Sequence, residues 1–240
     1  MAVTHLLHGA IGLLMLTSLL ELAFISATVS WLHRTAHGTL QIHTSPSSSS
    51  SFDLAWKPRT LMLDQGHTAN GAAGTALILV GVGGIVVFWL RARPSALSSR
   101  LSAWVSPAWV ALGAVSCLLT TAALAYVLAV TDAHAGQEID LSVARALDAS
   151  RAEKYPLFSW TPQGWFSAVL RLDVADAQVR SDIALHLAII HGWECNLVVL
   201  FALHVVTTVL IVLDFLDWRR QRPKMTEYSN VMQKSSMATP

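Results

Sequence analysis

The chain has 240 residues, 53% of them hydrophobic and only 13% charged, with a mean hydropathy of +0.50. Soluble domains carry charge at about a quarter of their positions, so this deficit excludes an ordinary soluble domain and points to a membrane protein. A net charge of +1 offers no basic surface, and no nucleic-acid partner is expected.

A hydrocarbon core about 30 Å thick needs roughly 20 apolar helical residues. The first stretch that qualifies runs over 6–32, broken only by Glu21. Ser26-Ala27-Thr28 offers small residues for signal cleavage. The run nevertheless lacks a basic start, is longer than a typical signal core and holds a glutamate, so it reads as a retained span. The outer loop over 33–70 follows, with a serine tract around Ser45-Pro46-Ser47. Such a tract buries no apolar surface and reads as disordered.

The second span, over 71–90, and the third, over 107–131 with its spanning part starting near Pro107, carry no charge. Gly71, Gly74, Gly81 and Gly84, with Ala111, Gly113, Ala114 and Cys117, offer small faces for close helix approach. Cys117 and Cys195 are not expected at one depth, and neither a disulfide nor a zinc finger is predicted. The second outer loop covers 132–195. Asp140 is placed to cap a short helix through Ala149, and Thr161 with Pro162 forms an N-cap and first-turn pair for a helix through Leu170. Trp160, Trp165, Phe166 and Trp193 suit a membrane–water interface. Val179, Ile183, Leu187 and Ile190 recur at helical spacing, as a surface helix or as an extension of span four.

The fourth span covers 196–216, with His204 in its apolar run, and a basic tail read as disordered covers 219–240. Arg91, Arg93 and Arg100 lie in the short loop, and Arg219, Arg220, Arg222 and Lys224 follow span four. The loop before span four is acidic. Lys and Arg mark the cytosolic side, so both termini are expected there. The tail's basic cluster reads as this positive-inside stop, with attraction to anionic lipid as the functional alternative. The fold expected is all-α: a four-helix transmembrane bundle with a helical extramembrane loop between spans three and four.

Glu21 is the most informative polar residue, because a carboxylate inside a bilayer must face protein or water, or be protonated. Counted from the cytosolic ends at about 1.5 Å per residue, Glu21 and His204 reach comparable depth. A Glu21–His204 pair is the candidate site, either as a proton relay or substrate site or as a structural contact fixing register. His33 and His37 share one helical face, and His186 with His191 would have to join them for an outward metal site, but the latter two are five residues apart and point different ways. No metal or cofactor is expected. Nucleophile elbows, P-loops and dinucleotide fingerprints are absent, and Gly81-Val82-Gly83-Gly84 lies inside a span.

Tyr155-Pro156, Trp160-Thr161-Pro162, Trp165, Val169-Leu170, Arg180, Ile183, His186, Gly192-Trp193 and Asn196-Leu197 together resemble an uncharacterised four-transmembrane integral membrane protein family of filamentous fungi. The resemblance covers about a third of the chain, mainly Tyr155 to Asn196, and implies fold and fungal origin rather than an activity. Tetraspanin and claudin-like cysteine motifs are missing. A MARVEL-like bundle has no motif here to mark it, and fungal anthrone oxygenases share only size and topology. The expected partners are the lipid bilayer and other membrane proteins. Two functions are carried forward: a non-enzymatic membrane organiser or partner-binding subunit, and a small membrane enzyme or transport accessory in fungal specialised metabolism acting on a lipophilic substrate.

Overall fold

Long apolar runs satisfy their backbone internally as helices, and that principle accounts for almost all of this chain. The computed structural model describes residues 2–44, 50–93, 95–146 and 159–237. Helix α1 covers Ala2–Arg34, α2 Asp64–Thr75, and a π-helical segment Ala76–Val82 joins α2 to α3 at Gly83–Ala92. Helix α4 covers Ala96–Ala133, α5 Leu141–Ala146, α6 Pro162–Leu170 and α7 Ala177–Met237. Four segments, Val3–Arg34, Asp64–Ala92, Leu97–Ala133 and Ala177–Gln221, are long and apolar enough to cross a membrane. The chain therefore has the form of a multi-pass membrane protein, nearly all-α, with a helix between the third and fourth spans.

The helices overrun the expected spans. Helix α2 starts at Asp64, and Pro107 lies inside α4. Helix α7 takes up the amphipathic stretch from Ala177 and runs unbroken into span four. Of the two placements left open for that stretch, it is the extension. Ile183 and Ile190 are buried while Arg180 and Ser181 are exposed, as the helical spacing requires. Helix α7 continues to Met237, through the stretch read as an irregular tail.

One exception to the all-α form was not anticipated. Strands β1 (Thr39–His43) and β2 (Ser51–Ala55) pair antiparallel, with Leu40 opposite Leu54 and Ile42 opposite Phe52. Leu40, Ile42 and Leu54 are buried, while Thr39, Gln41, Ser51 and Asp53 are exposed. That alternation is what a half-buried strand requires. Gly38, at φ +82°, turns the chain into β1. The serine tract over 45–49 lies outside the described residues.

The residues form two compact units: Met1–Leu16, Thr75–Leu119 and Phe201–Pro240 in the first, Thr17–Gly74 and Thr120–Leu200 in the second. The first unit packs through small residues. A Cβ built on Gly84 would stand 2.9 Å from the Trp109 ring and 3.0 Å from Ile11 Cδ1, and one on Gly81 would strike the Met15 side chain. Glycine at these positions lets bulky neighbours close onto the helix. Trp109 Nε1 donates to the Val80 carbonyl within the π-helical segment, so the wider turn has a hydrogen-bonded use.

The second unit is built on aromatic rings. Trp31 stacks on His186 at 4.3 Å and approaches Phe166 at 4.7 Å, while Trp160 meets Trp165 edge-on at 5.2 Å. Trp31 Nε1 donates to Asp182, and Trp165 Nε1 donates to the Trp56 carbonyl. Indole rings bury large apolar area yet require a partner for their N–H, and both conditions are met. The hairpin joins this core: His43 N–H donates to Asp173 O and Ala175 N–H to Gln41 O.

Candidate functional site

Glu21 is fully buried on α1, and its Oε2 accepts from Asn196 Nδ2 on α7 at 2.7 Å. The same amide nitrogen donates to the Thr17 carbonyl at 3.0 Å. Glu21 Oε1 has no hydrogen-bond partner among the described residues. The sequence identified the buried carboxylate but not Asn196 as its donor. His204 is also fully buried, in the first unit.

A second carboxylate, overlooked in the sequence, organises the second unit. Glu194 Oε1 accepts from Thr131 Oγ1 at 3.0 Å and from Gln163 Nε2 at 2.5 Å, and its Oε2 pairs with His191 Nδ1 at 3.1 Å. Gln163 Oε1 in turn accepts from Gln65 Nε2 at 2.9 Å. The result is a line of amides ending on a carboxylate. Its local supports are strong: Thr161 Oγ1 accepts from Gly164 N–H and caps α6, with Pro162 in the first turn, as the sequence predicts. A helix built this way fixes Gln163 in its first turn.

Gln65 and Gln163 also line a narrow slot with a cavity volume of about 30 Å³ and with Ile25, Val29, Leu63 and Trp193 among its apolar walls. Glu21 precedes Ile25 by four residues on α1, and Asn196 follows Trp193 by three on α7. The Glu21–Asn196 pair therefore sits one helical turn, about 5.4 Å, along from the slot. On the other side of Gln163 is a more polar cleft of about 160 Å³ lined by Thr131, His134, Gln137, Ser167, Arg171 and His191. A third hollow lies along the hairpin edge, between Gln41, Trp56 and Val179.

The fourth cleft belongs to the first unit and is lined by Thr4, His5, His8, Arg91, Asp214 and Trp218. Here Arg91 Nη1 and Asp214 Oδ2 form an ion pair at 2.6 Å, with side chains 10% and 7% exposed. Thr4 Oγ1 donates to Asp214 Oδ1, Arg91 Nε donates to Ser106, and the guanidinium lies 4.5 Å from the Trp218 ring centre. In the sequence Arg91 marks only orientation, and Asp214 carries no local motif. An acid ending the apolar run of span four, with an arginine ending span two, is the signal that was available.

The remaining predicted residues divide clearly. Trp160, Trp165, Phe166 and Trp193 are 7%, 0%, 0% and 3% exposed. This corrects the interface-anchor reading, because rings so enclosed by protein have no surface left for lipid headgroups. Arg219 and Arg220 are exposed, while the side chains of Arg222 and Lys224 lie outside the described residues. His33 Nδ1 bonds the Val29 carbonyl, and His186 is held between Trp31 and Asp182. Asp140 caps α5 by accepting from the Ser142 and Val143 N–H groups, and Ser142 holds its carboxyl below the usual carboxylate range. The 147–149 end of that expected helix, and the Tyr155–Phe158 part of the resemblance, lie outside the described residues. Compared with known proteins, the chain matches no protein-family model, no curated protein and no solved structure.

Proposed function

We propose that this is a four-span membrane protein with both termini in the cytosol, related to the fungal family its 155–196 stretch resembles, and that it performs no chemistry of its own. It acts as an organiser or partner-binding subunit, with its four spans gathered as a bundle. The observation that supports this most is how the buried carboxylates are used. Glu21 is engaged by Asn196, and Glu194 by Thr131, Gln163 and His191. None of the four clefts is lined by Glu21, Glu194 or His204. Groups that serve as acid or base need access to a substrate atom, whereas groups held this way fix helix register. The basic residues of the short loop and of the 219–224 stretch support the orientation.

A second reading, a small enzyme or transport accessory acting on a lipophilic substrate in fungal specialised metabolism, is favoured by one observation, the apolar slot beside Gln65. Complementation of a deletion strain separates the two. Glu21→Gln keeps an acceptor for Asn196 but abolishes proton transfer. Under the non-enzymatic reading the variant restores the wild-type phenotype and metabolite profile at equal membrane abundance. A variant that inserts normally yet accumulates a precursor would establish the enzymatic reading instead.

A further inference from the structure

At one end of the first unit four helices meet in a polar layer. Asp214 of α7 accepts from Thr4 Oγ1 of α1 and pairs with Arg91 of α3, while Arg91 Nε donates to Ser106 of α4 at 3.1 Å. On α7 the exposed large apolar side chains reach only Leu216 among the described residues, two positions past this layer. On α4 they continue much further. Leu97, Leu101 and Trp104 are 67%, 43% and 81% exposed, while Ser98, Ser102 and Ser106 on the opposite face are buried. A helix facing water carries the reverse pattern, polar side out and apolar side in. The exposed face runs on without a break into Leu112 and Val115, and the buried face into Trp109, Gly113 and Ser116. All of these lie in the Leu97–Ala133 segment, whose 37 residues are long and apolar enough to cross a membrane. At about 1.5 Å per residue that segment measures about 55 Å, against about 40–45 Å for a bilayer with its headgroups, so part of α4 must lie at headgroup level.

We propose that the stretch from Arg93 to Trp104 is a binding surface for anionic phospholipid, with Leu97, Leu101 and Trp104 against the lipid and Arg93 and Arg100 on the phosphates. Arg100 lies three residues from Leu97 and four from Trp104, so it shares their exposed face. Helical side chains lean toward the helix N-terminus, which here is the end beyond the polar layer. The Arg100 stem therefore runs along apolar surface while its charged head reaches outward. Arg93 lies over the exposed Trp89 ring at 4.0 Å. The ring occupies one face of the guanidinium and leaves its N–H edge free, the edge that meets phosphate in a two-pronged contact. The counter-charge is not supplied by the protein. No Asp or Glu occurs between Gln65 and Thr131, and neither arginine forms an ion pair among the described residues. The nearest acids in the unit are engaged, Asp214 by Arg91 and Thr4, and Asp217 by Gln221. An acidic soluble protein would satisfy the charge, but the continuity of this face with the lipid-facing side of the span favours phospholipid.

The inference rests on the chain spanning a bilayer and is independent of the organiser role and of which side is cytosolic. The test uses the purified full chain in phosphatidylcholine nanodiscs that contain a fixed minor fraction of chain-brominated phosphatidylglycerol or chain-brominated phosphatidylcholine. Bromine quenches tryptophan fluorescence on close approach, and the difference between wild type and Trp104→Phe isolates Trp104. Its emission is expected to be quenched more by the anionic lipid than by the zwitterionic one. Arg100→Gln should lower the relative binding constant for the anionic lipid about fivefold, at about 1 kcal/mol per arginine, and Arg100→Lys should retain most of it. Arg93→Gln with Arg100→Gln should remove the preference, and raised salt should weaken it in the wild type. Arg219→Gln with Arg220→Gln, exposed positions on α7, should leave the Trp104 signal unchanged. Equal quenching by the two lipids, or an equal loss from the α7 pair, would overturn the proposal. So would a Trp104 that bromine spares and aqueous iodide quenches, the result that a docking surface for a soluble protein gives. None of these outcomes depends on whether Glu21→Gln complements.

Discussion

Asn196→Leu is the sharpest perturbation of the buried carboxylate. The substitution removes the donor to Glu21 Oε2, and Oε1 already has no partner among the described residues, so a fully buried carboxyl is left without a hydrogen bond on either oxygen. Stranding a buried acceptor costs about 1–3 kcal/mol, and more if the group is charged. In a chain of this size about 1 kcal/mol moves the midpoint by roughly 2–4 °C, so a fall of about 2–12 °C is expected. Glu21→Leu removes the group that needs the donor, and Asn196 keeps its bond to the Thr17 carbonyl. In that background Asn196→Leu should cost far less, because replacing both members of a buried pair by apolar groups can be nearly neutral. Thermal unfolding in detergent, followed by fluorescence of the nine tryptophans, gives all four corners of the cycle. An equal loss from Asn196→Leu with and without Glu21 would refute the pairing argument.

Three further outcomes follow from the same reasoning. Gly84→Ala should destabilise by about 1–3 kcal/mol, because its Cβ meets a tryptophan ring that has nowhere to move, whereas Gly81→Ala meets only the flexible Met15 and should be close to neutral in the same unfolding assay. Asp214→Leu should cost about 3–5 kcal/mol by leaving Arg91 buried without its ion pair, and adding Arg91→Met should recover most of that loss in denaturation midpoint. The Asp140 carboxyl is held below its ordinary value, so its support of α5 is complete above the unfolded pKa of about 3.9 and is lost as pH falls through the lowered folded value. The protection of the Ser142 and Val143 amides, measured as the exchange rate relative to the free-peptide rate at the same pH, should therefore fall on acidification, and Asp140→Asn should remove that dependence.

What the sequence reveals depends on how far apart the interacting residues lie. Spans are legible because length and apolarity alone decide whether a helix suits a bilayer. The Thr161–Pro162 cap is legible because its partner, Gly164, is three residues away. Asn196 lies 175 residues from Glu21, and choosing it requires the rotation of two helices that are apolar on nearly every face. Such helices carry no stripe to announce which side meets protein. The hairpin had a readable signal in Leu40, Ile42, Phe52 and Leu54, but the serine tract between the strands suggested a featureless loop. The burial of Trp160, Trp165, Phe166 and Trp193 is illegible for a different reason. A tryptophan with one polar partner fits a membrane interface and a protein core equally well, and only packing distinguishes them.

The amides illustrate a deeper limit. Gln65 and Gln163 carry no charge, and Glu194 sits in an amphipathic stretch where an acid is unremarkable, so none of the three stands out by residue type. Their meaning comes from the order of donation, which runs from Gln65 through Gln163 to Glu194 over 98 and then 31 residues of separation. A carboxylate at one end fixes which atom of a neutral amide is presented at the other, roughly as a charge orients a row of dipoles.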